Sequence, residues 1–228
     1  MEASATQHAN APDVMRNGLD AIYQDHDNIR ALFQKYRACS PNDRMEKLSV
    51  ARQLVTTISQ HASAEERTLY PMLATRVPKE DGSKLLHDMM VMDDQCNKEH
   101  LAYLNGHTPV TDADWQLFDR QLFKFEVVEL EHLKSEEEQA LARLQQLLSE
   151  EDKDALWREW DAALRNAPLR PHPDGPTNGI PAKLMHPVAG VVDRVTQAVE
   201  GLMANAGIGG AATVASCKGH EQGVHQGA

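Results

Sequence analysis

Four long stretches of this chain repeat apolar residues at steps of three and four, and each stretch also carries a histidine. The first, about 14–39, runs Leu19, Ile22, His26, Ile29, Phe33. The second, about 44–75, runs Ala51, Leu54, Ile58, His61, Glu65, Leu69, Met72. The third, about 82–105, holds His87 among Met89, Met90 and Met92. The fourth, about 112–148, runs Trp115, Phe118, Leu122, Phe125, Glu129, His132, Glu136, Ala140, Leu144. This period is that of a helix with one buried face. Breakers separate the stretches: Ser40-Pro41-Asn42-Asp43, Pro71 with Pro78, and Gly106 with Pro109. Thr111 or Asp112 can cap the fourth. Strand signals are nearly absent. The expectation is an all-α fold: an up-down-up-down four-helix bundle with a C-terminal extension.

The expected organisation is a flexible N-terminus over 1–13, the bundle over 14–150, an accessory helix over 151–167 and an extension over 168–228. The accessory stretch offers Leu156, Trp157, Trp160 and Leu164. The extension opens with a proline-rich linker, Pro168 to Pro176, expected to decouple the rest of the extension from the bundle. A short amphipathic helix is expected at about 186–204, with Val188, Val191, Val192, Val195, Val199 and Leu202 as its apolar stripe. From Gly207 a loose tail is expected. The formal net charge is −11, which argues against nucleic acid as a partner. No apolar run approaches the ~20 residues that span a bilayer. The first residues are polar and acidic, unlike a secretory leader, so the expected compartment is the cytoplasm. Cys39, Cys96 and Cys217 read as free thiols in a reducing compartment.

The chemistry lies in the residues that interrupt the stripes. His26, His61, Glu65, Glu129, His132 and Glu136 stand where leucine is expected. One such histidine is usually a satisfied core residue. A carboxylate in a core costs several kcal/mol unless paired or metal-bound, and a metal cluster satisfies several such groups together. The pattern also repeats. His26 precedes His61-Ala62-Ser63-Ala64-Glu65, and His87 precedes His132-Leu133-Lys134-Ser135-Glu136. Residues i and i+4 project from one helix face about 6 Å apart. An imidazole can then bind one metal while the carboxylate reaches a second. Nitrogen and carboxylate donors suit iron, manganese or zinc, and the lack of thiolates argues against a structural zinc knot.

These residues, together with Asp25-His26-Asp27, Glu65-Glu66, Leu69-Tyr70-Pro71, His87-Asp88 and Glu136-Glu137-Glu138, resemble the haemerythrin-like HHE cation-binding family over about 18–148. The resemblance implies a non-haem di-iron centre. It would hold two irons per chain, oxo/hydroxo- and carboxylate-bridged, with His26, His61, Glu65, His87, His132 and Glu136 as metal ligands and Glu65 and Glu136 as the bridges. Manganese or zinc remains compatible. The chain departs from oxygen carriers of that family, which have two histidines one turn apart on the third helix. Here Val91 follows His87. Glu129 is an additional ligand, an acceptor behind an imidazole, or an ion-paired residue near the rim.

Other residues carry plainer expectations. His100 is expected on the surface, as are Glu66, Glu137, Glu138, Asp93 and Asp94. The methionines read as core filler, and Tyr23, Tyr36 and Tyr70 as core-edge residues, one of which can sit near the metals. Three functions fit. The first is a binding protein that binds, senses or stores a small oxidant (O2, NO or peroxide) or iron. The second is a di-iron enzyme with catalase- or peroxidase-like activity. The third is a structural metal site.

Overall fold

The computed structural model of the chain describes residues 16–79, 83–175 and 179–205. The expectations for 1–13, for the tail from Gly207, for Cys217 and for the side chains of Met89, Met92, Asp93, Asp94, Val199 and Leu202 lie outside the described residues. Everything regular in the described residues is helical. None of these helices is long and apolar enough to cross a membrane.

Helix α1, Gly18–Ala38, starts where the Asn17 side chain accepts the Leu19 N–H. Helix α2, Arg44–Arg67, is capped in the same way by Asp43. The second predicted helix does not run through to 75. It breaks at Thr68, and α3, Leu69–Arg76, follows. Pro71 explains the break, because its ring clashes with the carbonyl four residues back and offers no N–H to it. Thr68 Oγ1 donates to the Ala64 carbonyl at 2.7 Å, beside the Thr68 N–H that reaches the same carbonyl. Helix α4 is Ser83–Gly106 and α5 is Asp112–Ser135, the latter opened by a Thr111/Asp114 capping box. Its continuation widens into a π turn, Glu136–Leu141, before α6, Ala142–Leu147. A Ser149/Asp152 capping box opens α7, Glu150–Arg165. Helix α8 is Gly179–Asn205.

Helix α1 packs on α2, α2 on α4, α4 on α5, and α5 back on α1. That cycle of neighbours is consistent with a four-helix bundle. Helix α7 lies across α1 and α2. The contact is close: a Cβ at Gly18 would meet the Leu156 side chain and the Trp157 backbone at 2.6 Å.

The extension departs from expectation. Helix α8 is longer than foreseen and packs on α2, so the proline segment does not decouple it. The packed face is not the valine stripe. Val188, Val191, Val192 and Val195 are all more than half exposed, while Ala182, His186, Gly190 and Asp193 are buried. Small and polar groups allow this approach. Gly190 has no room for a Cβ beside the Asn166 and Ala167 carbonyls. Asp193 Oδ2 accepts the backbone N–H groups of Leu169 and Arg170.

The core forms two apolar clusters. One holds Ile22, Ala64, Leu69, Tyr70, Ala140 and Trp160; the other holds Ile29, Ile58, Phe33, Phe125 and Leu133. His26 falls between Ile22 and Ile29, His61 between Ile58 and Ala64, and Glu136 between Leu133 and Ala140. A polar layer therefore separates the two clusters. His100 is not a plain surface residue: it is half-buried and stacks on Phe125 at 5.8 Å. Cys39 and Cys96 are free thiols.

Candidate metal centre

Three segments meet in the polar layer. Helix α1 supplies His26, α2 supplies His61 and Glu65, and the start of the π turn supplies Glu136. One donor atom from each of the four lies within 4.8 Å of the others, and all four residues are buried. His26 Nε2 is 3.1 Å from Glu136 Oε2, and His61 Nε2 is 2.9 Å from Glu65 Oε1. The two imidazoles meet edge to face at 4.9 Å.

Groups behind the four residues fix their orientation. His26 Nδ1 lies 2.8 Å from Glu137 Oε1, and Arg30 Nη2 holds the same oxygen at 2.8 Å. Glu137 is thus no solvated neighbour of Glu136. In a regular helix the two would point about 100° apart; the wider π turn begins at this point, as π turns often do at functional sites. Trp160 of α7 sets its ring 5.4 Å from His61 and donates Nε1–H to Asp25 Oδ2 at 3.0 Å. Tyr70 donates its hydroxyl to Glu65 Oε2 at 3.2 Å.

The electrostatics suit a cation. Burial, reinforced by the charge on His26, pushes His61 well below its usual range, so it is a neutral donor. Burial alone would lower His26, but hydrogen bonding and charge from Glu136 and Glu137 raise it. Burial pushes the Glu136 carboxyl up, yet contacts with His26 and Glu65 outweigh that and hold it at about 2. With Nδ1 donating to Glu137, a neutral His26 turns the lone pair of Nε2 toward the Glu136 carboxylate. A proton on Nε2 supplies the positive charge that this 3.1 Å contact needs, in line with the raised His26 value, and a metal cation bound there would take the proton's place. Neither Glu136 oxygen meets a donor in hydrogen-bond geometry among the described residues, and neither does His61 Nδ1. Metal–nitrogen and metal–oxygen bonds of about 2.0–2.2 Å fit donor atoms this far apart. The residues present therefore fit a metal with nitrogen and oxygen ligands.

The remaining sequence-predicted ligands are not among these four. His132 is buried one turn before Glu136, and its charge is felt by His61 and Glu136. His87 is partly exposed, with Nδ1 3.3 Å from Asp88 Oδ1 and its ring 6.5 Å from that of Tyr70. The structure does not bring His87 into the group. Val91 is half-buried against the first apolar cluster. Glu129 is buried and accepts Asn97 Nδ2–H at 2.7 Å. Sequence reasoning missed Glu137 and the Asp25–Trp160 pair; Trp160 was visible only as an apolar position of the accessory helix. Glu66 also differs from expectation: it is fully buried and ion-paired with Lys98.

A family model, the Hemerythrin HHE cation binding domain, matches residues 17–166. No curated protein and no solved structure matches the chain.

Proposed function

The chain belongs to the haemerythrin HHE cation-binding family, and from that premise we propose that it is a non-haem di-iron protein whose centre binds a small oxidant, O2, NO or peroxide. The observation that carries this is the buried group of His26, His61, Glu65 and Glu136, whose donor atoms lie within 4.8 Å of one another and can share one cation. In this reading α1, α2 with α3, α4, and α5 with its continuation form the up-down-up-down bundle. His26, His61, Glu65 and Glu136 hold one metal. A second would draw on Glu65, Glu136, His132 and His87. A bound iron pair would supply redox change and an exchangeable coordination position. The chain's own part is to keep the donors dry and oriented. Glu137 and Arg30 fix the tautomer of His26, Tyr70 steadies Glu65, and Trp160 closes the site beside His61.

Metal analysis of purified full-length protein tests this. Two irons per wild-type chain are expected, with a visible absorption band that shifts on adding azide or peroxide. Zinc alone at full occupancy, or no band in an iron-loaded sample, would overturn the di-iron reading. Sustained gas evolution from peroxide with unchanged protein would assign an enzyme instead.

A further inference from the structure

Helix α2 presents a second polar stripe on the side away from the metal donors. Ser59, Ser63 and Glu66 recur at steps of four and three, while His61 and Glu65 face the polar layer. This second stripe borders a cavity of about 410 Å³ between α2, α4, the proline segment and α8. That volume lies in the range of small-molecule sites. Its walls are mostly apolar, from Ala62, Pro171, Pro173, Met185 and Val188.

The floor is an ordered chain of polar groups. Ser63 Oγ lies 2.8 Å from His186 Nδ1, and both residues are buried. His186 Nε2 lies 3.4 Å from Glu66 Oε2, and Lys98 holds the other oxygen of Glu66. When Nε2 carries the imidazole proton toward the carboxylate, Nδ1 accepts the Ser63 O–H. The Ser63 oxygen then keeps a lone pair for a further donor. One turn earlier, Ser59 Oγ is buried and has no hydrogen-bond partner among the described residues. A buried hydroxyl without a partner is costly. Both serines border the cavity. Residues i and i+4 lie about 6 Å apart, so one hydroxyl between the serines can donate to Ser63 and accept from Ser59. Charge decides the rest. Around the cavity Lys98 and Arg170 offset Glu66 and Asp174, so no net field favours an anion or a cation.

We propose that this cavity is a binding site for an uncharged, hydroxyl-bearing ring compound of phenol type, held by Ser59 and Ser63 and enclosed by α8. The ligand hydroxyl donates to Ser63, whose proton is in turn held by His186 against Glu66. The ring lies on the proline and methionine walls. The site is separate from the metal donors and does not depend on the identity of the metal.

Titration calorimetry on the full metal-loaded chain near neutral pH, with 1-naphthol as the probe, tests the proposal. One naphthol per chain is expected. 1-Methoxynaphthalene, which lacks the O–H, should bind about tenfold more weakly, and 1-naphthoate more weakly still. Ser63→Ala and Ser59→Ala should each raise Kd about fivefold, the effect of one neutral hydrogen bond. Ala189→Trp, which fills the cavity from α8, should abolish binding while metal content stays at the wild-type level. If that variant does not fold, the two serine variants carry the test. No binding by the wild type overturns the proposal, and so does binding that both serine variants leave unchanged. Naphthoate binding more tightly than naphthol overturns the uncharged class.

Discussion

The donors on α1 and α2 are held from behind by buried or part-buried groups, whereas the donor on α4 leans on a half-exposed carboxylate. His26 has Glu137 and Arg30 at its back, His61 has Trp160, and Glu65 has Tyr70. All three donors are buried. His87 is partly exposed, and it meets the half-exposed Asp88 and the edge of Tyr70. Part of the difference traces to the accessory helix. Helix α7 covers α1 and α2, and brings Trp160 to one side of the polar layer. A donor fixed by packing and by a second hydrogen bond binds metal more tightly than one that must first be ordered. The two halves should therefore differ in metal retention, stability and access.

The largest effect belongs to the covered half. His61→Ala removes the imidazole 2.9 Å from Glu65 and leaves that buried carboxylate one partner short. Breaking a buried charged network typically costs about 3–5 kcal/mol. For a chain of this size that lowers Tm by on the order of 10 °C. Iron content should fall with it. His87→Ala is the matched control and should cost less in both measurements. Equal losses from the two variants would erase the proposed difference between the halves.

A chelator titration sharpens the same contrast without mutation. The metal on His87 and His132 should leave first, and the metal on His26 and His61 should persist through about a tenfold higher chelator concentration. Azide or NO should perturb the spectrum of the first-leaving metal. Simultaneous loss of both metals would show that the bridging carboxylates couple the halves more strongly than their separate packing divides them.

The unevenness of the sequence reading has the same physical origin. That His26, His61, Glu65 and Glu136 share one buried place was legible because charged or polar residues in an apolar stripe are expensive, and gathering them lets each satisfy the others. Glu137 was not legible, because its orientation depends on a π turn that a period of 3.6 residues does not foresee. Nor was the break at Thr68, although Pro71 is its cause and was in view. The extension misled for a different reason. Its valines form the conspicuous stripe, but the packed face is Ala182, His186, Gly190 and Asp193, chosen by close approach and capping rather than by apolar area. Glu66 looked like a surface residue because Lys98, 32 positions away, is the partner that lets it be buried.

Tyr70 links the halves, and its hydroxyl offers a smaller test. Tyr70→Phe keeps the ring against His87 and removes one donor from Glu65. A net loss of about 1 kcal/mol is expected, or about fivefold in metal affinity. Because Glu65 is proposed as a bridge, both metals should weaken together in a competition assay. Selective loss of one would mean that Glu65 serves that metal alone.

The smallest effect should come from Glu129, the residue whose role sequence alone left open. It lies one turn before His132, where a ligand would fit, but Asn97 donates to its Oε2 at 2.7 Å. Asn97 does not need a charge to donate to, only an acceptor, and a glutamine carbonyl supplies one. Glu129→Gln should therefore keep this hydrogen bond. It should shift Tm little and leave two irons per chain, with the chelator midpoints within about twofold of wild type. A ligating carboxylate would behave otherwise. Converting it to an amide would remove a negative donor from the α4–α5 side and release that metal at a distinctly lower chelator concentration. Asn97→Ala separates the two cases further. If Glu129 serves only as an acceptor, this variant leaves a buried carboxylate one donor short and lowers stability by about 1–3 kcal/mol while metal content holds. If Glu129 ligates, the same variant frees the carboxylate to swing, and metal content falls with stability.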